Sequence, residues 1–274
     1  MRRPFLPLLL AFAGCTNVFL QPDRADYLPK SGDMPWERVS FTSRDGTPLA
    51  GLWLPAAKVP SKGVIVHFHG NAENMTTHFL YVRWLAEEGW DVLAFDYRGY
   101  GASGGEKALR GSVQDGAAAL AYARGKAAGK PLIVFGQSLG GALALASLSV
   151  DGGENVRAVV LDSTFSSYRR VAREKLSRLR LTWPLQWPLS LALISDRWAP
   201  TKLAARRRPV PLLMLHARGD PVVPYAEGRR LYDRAAGPKE FWDVPGRGHT
   251  EAFSRYRAEF RPRLLNFLND SLKR

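Results

Sequence analysis

Gly136-Gln137-Ser138-Leu139-Gly140 sets a serine between glycines where an apolar stretch meets a helical one. In that setting G-x-S-x-G is a nucleophile elbow, a turn between strand and helix so sharp that only small residues fit beside the serine. Gly141 extends the allowance and lets the helix pack close to the sheet. A serine hydroxyl attacks a carbonyl only when a base takes its proton, and the base needs an orienting carboxylate. For this elbow the chain order is serine, acid, histidine. Of the five histidines only His249 follows both Ser138 and a later strand, in Gly246-Arg247-Gly248-His249 ahead of a closing helix. His216 ends an apolar stretch and reads as a strand-terminal residue. Asp220, in Arg218-Gly219-Asp220-Pro221, is the expected acid; Asp162, ending the preceding strand, is its rival, and Asp243 ranks behind it. The expected catalytic set is Ser138, Asp220 and His249. The oxyanion needs two backbone donors. They are expected from Leu139, after the nucleophile, and from Asn71 in His67-Phe68-His69-Gly70-Asn71-Ala72. His67 and His69 stand two apart on a strand as a metal pair would, but no third ligand is evident, and no metal or cofactor is expected.

These residues need a scaffold, and the hydropathy pattern supplies one. Residues 36–42 and 49–54 read as a hairpin around Asp45-Gly46, a turn dipeptide. Near-continuous apolar runs follow at 63–68, 90–95, 131–135, 156–161 and 210–215, with a further strand at 241–244. Strands apolar on both faces belong to a parallel sheet covered on both sides. Helical stretches at 76–88, 113–128, 139–150, 226–236 and 253–268 alternate with them. The expectation is an α/β fold with a doubly wound, mostly parallel sheet. Residues 165–208 break the alternation, and Pro184 and Pro188 interrupt any long helix there. That segment reads as a helical cap insertion over the sheet.

His69-Gly70-Asn71-Ala72-Glu73-Asn74, Asp96-Tyr97-Arg98-Gly99-Tyr100-Gly101 and the Ser138 motif resemble the α/β-hydrolase superfamily. More narrowly they resemble its Bem46-like branch, which includes acyl-protein depalmitoylases. The similarity runs over about residues 40–270, with Ala217 where the branch usually has glycine. It implies the α/β-hydrolase fold and cofactor-free serine hydrolysis of esters or thioesters. It also implies a loop of the Arg98–Gly105 type bordering the site. Gly99-Tyr100-Gly101-Ala102-Ser103-Gly104 also satisfies G-x-G-x-x-G, but a dinucleotide site needs that turn to open a helix, with an acid about 20 residues on. Arg124 stands there instead, so no nicotinamide site is expected.

The chain has 274 residues and a net charge of +14. Residues 1–164 carry 16 basic and 15 acidic groups, residues 165–208 carry 11 and 2, and residues 209–274 carry 12 and 8. The excess therefore concentrates in the insertion, which also holds Trp183, Trp187 and Trp198. Arginine beside tryptophan suits either an interfacial lid on anionic lipid with an acyl pocket beneath it, or a cap whose tryptophans simply pack on the sheet. No apolar run reaches the roughly 18 residues of a bilayer-spanning helix. The single cysteine excludes an intramolecular disulfide framework. Met1-Arg2-Arg3, an apolar stretch at 5–13 and Ala13-Gly14 before Cys15 resemble a bacterial lipoprotein signal, with Phe12 where an aliphatic residue is usual. The expected organisation is a signal at 1–14, a linker at 15–35 and a hydrolase domain at 36–274, lipidated at Cys15. With Thr16 after the cysteine, the resemblance implies the outer membrane, facing the periplasm. The expected function is ester or thioester hydrolysis on small ester or acyl substrates, with the membrane surface as partner and no nucleic acid. Amidase or aminopeptidase activity, and a non-catalytic lipoprotein scaffold, are the alternatives.

Overall fold

β1 (Glu37–Thr42) and β2 (Pro48–Leu54) pair antiparallel, from Glu37 opposite Trp53 to Thr42 opposite Pro48. β3 (Val64–Phe68), β4 (Asp91–Phe95), β5 (Leu132–Gln137), β6 (Val156–Asp162), β7 (Leu212–Ala217) and β8 (Lys239–Val244) follow. The eight strands form one sheet in the order β1-β2-β4-β3-β5-β6-β7-β8, parallel from β4 to β8. This is the α/β-hydrolase fold. The computed structural model describes residues 16–28, 35–177 and 183–273.

Alternate side chains of the buried strands enter two cores. Val64, Val66 and Phe68 of β3 join Leu120 of α3 (Leu109–Ala127) and Leu143 of α4 (Leu139–Asp151). Ile65 points the other way, into a core with Leu85 of α2 (Trp84–Glu87) and Leu264 of α9 (Arg257–Leu272). Each such fully buried side chain contributes about 1.5–3 kcal/mol relative to exposure. The insertion folds as α5 (Tyr168–Ser177), a 3-10 turn (Trp183–Leu185), α6 (Gln186–Leu193) and α7 (Pro200–Ala204), and α8 (Tyr225–Arg234) follows β7. Pro184 stays in the turn and Pro188 in the first turn of α6, where amides lack intrahelical partners anyway.

Three local expectations differ from the structure. The helix expected at 76–88 is split into α1 (Met75–His78), a 3-10 turn (Phe79–Tyr81) and α2. Bending there buries Phe79, Val82, Trp84 and Leu85 together in the second core. α3 starts four residues before the expected 113, because the Leu109 amide is capped by Asn17 Oδ1 at 2.9 Å. Residues 16–28, expected within a linker, are packed against the domain. Leu20 is fully buried, Gly101 N donates to Asp23 O at 2.8 Å, and Asn74 Nδ2 donates to Ala25 O at 2.7 Å. Residues 1–15, including the expected signal and Cys15, lie outside the described residues.

Candidate active site

β5, β6 and β7 are neighbours in the sheet, and their carboxyl ends carry Ser138, Asp162 and the turn that leads to Asp220. Ligand sites of open parallel sheets lie at these ends. Ser138 has φ +51° and ψ −118°, a strained conformation for a residue with a β-carbon. Strain of this kind persists only when the surroundings hold it. The Ser138 amide donates to Asp162 O at 2.8 Å. Glycine is required at 140, because a β-carbon there would lie 2.1 Å from Phe68 O. The turn leaves Ser138 half-buried at the start of α4. The Leu139 amide belongs to the first turn, where helical N–H groups have no intrahelical acceptor and the helix dipole favours negative charge.

His249 Nδ1 donates to Asp220 Oδ2 at 2.7 Å, with the Asp220 side chain fully enclosed and the imidazole partly exposed. The other oxygen, Oδ1, accepts from Val222 N at 2.8 Å and Val223 N at 2.9 Å. Burial pushes the Asp220 carboxyl up, but the hydrogen bond and charge of His249, with those two amides, outweigh it and hold the group below its usual value. Neither rival acid has this arrangement. Asp162 Oδ1 takes the Ser163 hydroxyl at 2.9 Å, and its Oδ2 has no partner among the described residues. Burial pushes Asp162 up to about 6. Asp243 pairs with Arg218 at 2.7 Å and with the Tyr225 hydroxyl.

His216 has a role that its position at a strand end did not announce. Its Nε2 donates to Val223 O at 2.8 Å and lies 3.5 Å from Asp220 Oδ2, so it pins the turn that carries Asp220. Burial holds the ring below the usual imidazole value. His67 Nε2 bonds Gln137 Oε1 at 2.8 Å, and His69 Nδ1 donates to Gly70 O at 2.8 Å. Both rings are thus committed to holding the loop after β3 and the elbow. Among the described residues no group of three or more His, Cys, Asp or Glu is placed to hold a metal.

The Asn71 loop is fixed from two directions. Asn71 Oδ1 accepts from Gln21 N at 2.8 Å and from the Tyr100 hydroxyl at 3.1 Å, and Tyr97 donates to His69 O at 3.1 Å. The Asp96-to-Gly101 motif therefore braces this loop. Arg98 turns away from it, to Asp115 at 2.7 Å and Asp45 at 2.7 Å. Gly99 and Gly101 shape this brace and do not open a helix, since α3 begins only at Leu109.

Burial pushes Asp96 up to about 7. The folded state then binds this proton more tightly than the unfolded chain does, so protonation favours folding. That contribution is present below the ordinary value of 3.8 and is lost as pH rises through about 7. Asp96→Asn keeps an acceptor for the Met75 amide, which donates to Oδ1 at 2.7 Å. The variant is expected to melt a few degrees above the parent at about pH 8, with the difference gone at about pH 4. Calorimetry at both pH values checks this; equal melting at the higher pH refutes it.

Beside the Asn71 loop, residues 18–21 and the cap enclose a groove of about 410 Å³. Phe19, Ala172, Leu176, Leu189, Leu193 and Ile194 give it apolar walls, and among the described residues no carboxylate lines it. Gln21, which also lines it, is the residue bonded to Asn71.

The family described as serine aminopeptidase, S33, matches residues 59–198, which include the Asn71 loop and the elbow. The chain belongs to that family. It is 36% identical over 264 residues to the uncharacterized protein YfhR of Escherichia coli O157:H7, covering 93% of this chain and 88% of that one. It is also 31% identical over 276 residues to the lysophosphatidylserine lipase ABHD12 of Danio rerio, covering 94% of this chain and 69% of that protein. Among solved structures it is similar to the Pyrococcus furiosus esterase Pf2001. The TM-score is 0.72 at 22% identity, over 92% of this chain and 97% of that one. As a member of the S33 family, the chain is an α/β-hydrolase domain of the serine-hydrolase type.

Proposed function

We propose that this chain is a serine hydrolase that cleaves carboxylic esters or thioesters of acyl or lipidic substrates, in the Bem46-like branch of the superfamily. Ser138 attacks the carbonyl, and His249 takes its proton and returns it to the leaving group. Asp220 orients the imidazole and stabilises its charged form, and the amides of Asn71 and Leu139 receive the oxyanion. Water then releases the acyl group by the same steps. One observation carries the reading: His249 is bonded to enclosed Asp220 at 2.7 Å, at the strand ends where Ser138 is held in a strained turn. The groove supports an acyl substrate, since its apolar walls suit a chain of methylenes, each worth about 0.8 kcal/mol when buried. The family's description favours a second reading, peptide or amide cleavage. An aminopeptidase must hold an α-ammonium, and among the described residues the groove offers it no carboxylate. The likeness to a lysophosphatidylserine lipase also points to lipid esters.

The site of action in this reading is the cell envelope, on the periplasmic face of the outer membrane through a lipid on Cys15. Incorporation of labelled palmitate that disappears in Cys15→Ser is the corresponding check, and equal incorporation in both rules the anchor out. A panel of aryl esters and aryl amides of graded chain length tests the reaction. Esters with medium or long chains are expected to be hydrolysed at least about tenfold better than acetate, and better than any amide. Leu193→Trp, which fills the groove, is expected to abolish that preference and leave acetate hydrolysis intact. Faster cleavage of amino-acid anilides than of any ester contradicts the reading.

A further inference from the structure

Helix α6 carries large apolar side chains on both its inner and its outer side. Leu189, Ser190 and Leu193 turn inward to the groove. On the opposite side Trp187 and Leu191 stand 60% and 56% exposed, and the turn before the helix adds Trp183 at 60% and Leu185 at 50%. A helix apolar on opposite sides is ordinarily enclosed. Four large exposed apolar side chains within nine residues form a patch, not the scatter that any surface shows. The surroundings of the patch are basic. Arg173 of α5 lies over the Trp187 ring at 4.0 Å, and Arg169 Nε donates to Ile194 O at 2.7 Å, at the end of α6. The insertion as a whole carries 11 basic and 2 acidic groups.

We propose that the outer face of α6 and the turn before it dock on an anionic lipid bilayer. Indole rings partition to the headgroup level, aliphatic side chains enter the acyl boundary, and guanidinium groups reach lipid phosphates. An acidic protein partner would meet the arginines but not the four apolar side chains. The Ser195 amide, just past α6, donates to Thr16 Oγ1 at 3.2 Å, so residue 16 meets the end of this helix. The inference names the surface on which the proposed hydrolase works. It rests on that reading only for its purpose, because docking is measured without turnover.

The test uses the full chain carrying Cys15→Ser, so that no acyl anchor contributes, in sedimentation with vesicles of phosphatidylcholine alone or with about 30% phosphatidylglycerol. Binding to the anionic vesicles is expected to be at least about tenfold tighter than to the neutral ones. Trp183→Glu, Trp187→Glu and Leu191→Glu together are expected to remove at least about tenfold of it while acetate ester hydrolysis and melting stay unchanged. Unaltered binding by the triple variant overturns the proposal, since residues 1–14 or charge alone would then hold the vesicle. A parent that dimerises through this face and ignores vesicles also overturns it. Should the triple variant not fold, quenching of tryptophan fluorescence by brominated lipid decides. It is expected in the parent and lost in Trp183→Phe with Trp187→Phe, and its absence in the parent refutes docking. If no ester is hydrolysed by any form, the enzymatic reading fails and the vesicle result stands by itself.

Discussion

Ser138→Ala is expected to lower kcat on aryl esters by on the order of 10^6, leaving only what binding and the oxyanion donors supply. The size follows from the chemistry, because no other side chain takes over once the elbow hydroxyl is gone. Folding is a separate matter, and the turn makes it measurable. At φ +51° both serine and alanine are strained, so alanine should leave the melting temperature close to the parent's. Ser138→Gly removes the steric cause of the strain and is expected to stabilise the fold by about 1 kcal/mol while being equally inactive. Kinetics and thermal melts on the three proteins check both effects. An alanine variant that retains more than about a hundredth of the parent rate would contradict the assignment.

Asp220→Asn is expected to lower kcat by about 10^4 with little change in KM. In the proposed mechanism the enclosed carboxylate is the acceptor that makes Nδ1 the protonated nitrogen of His249 and leaves Nε2 free to act as base. An amide at 220 presents an N–H to the ring, or rotates away from the amides of Val222 and Val223, and either result spoils the tautomer. The control is Asp162→Asn. Asp162 is fully buried nearby, but its Oδ1 is taken by Ser163, so its loss is expected to change kcat by less than about tenfold. If Asp162→Asn were the more damaging of the two, the acid would have been assigned to the wrong strand.

The sheet was readable because each central strand is apolar on both faces, and a parallel strand buried between helices has that signature. The elbow was readable for a local reason too, since steric need puts glycines at fixed offsets from the serine. The proposed acid was harder to read. Asp162 and Asp220 both follow strands, and what separates them is a pair of backbone amides at 222 and 223 with His216 behind the turn. The contribution of residues 16–28 was not readable at all. Asn17 caps a helix that begins 92 positions later, and Gln21 bonds a loop 50 positions later. Neither contact leaves a periodic trace. Ala108, in the cap position of α3, has no side-chain group to mark the helix start. The insertion was recognisable by its prolines and charge, but not the direction of its tryptophans: Trp183 and Trp187 face out, while Trp198 packs against the core.

All of the proposed chemistry depends on a nucleophilic Ser138. The most direct measurement is reaction of the folded protein with a fluorophosphonate, followed by intact mass and peptide mapping. The account predicts one adduct per chain, on the peptide that contains Ser138, and none in Ser138→Ala. No adduct on the folded wild-type protein, or an equal adduct on Ser138→Ala, would contradict it.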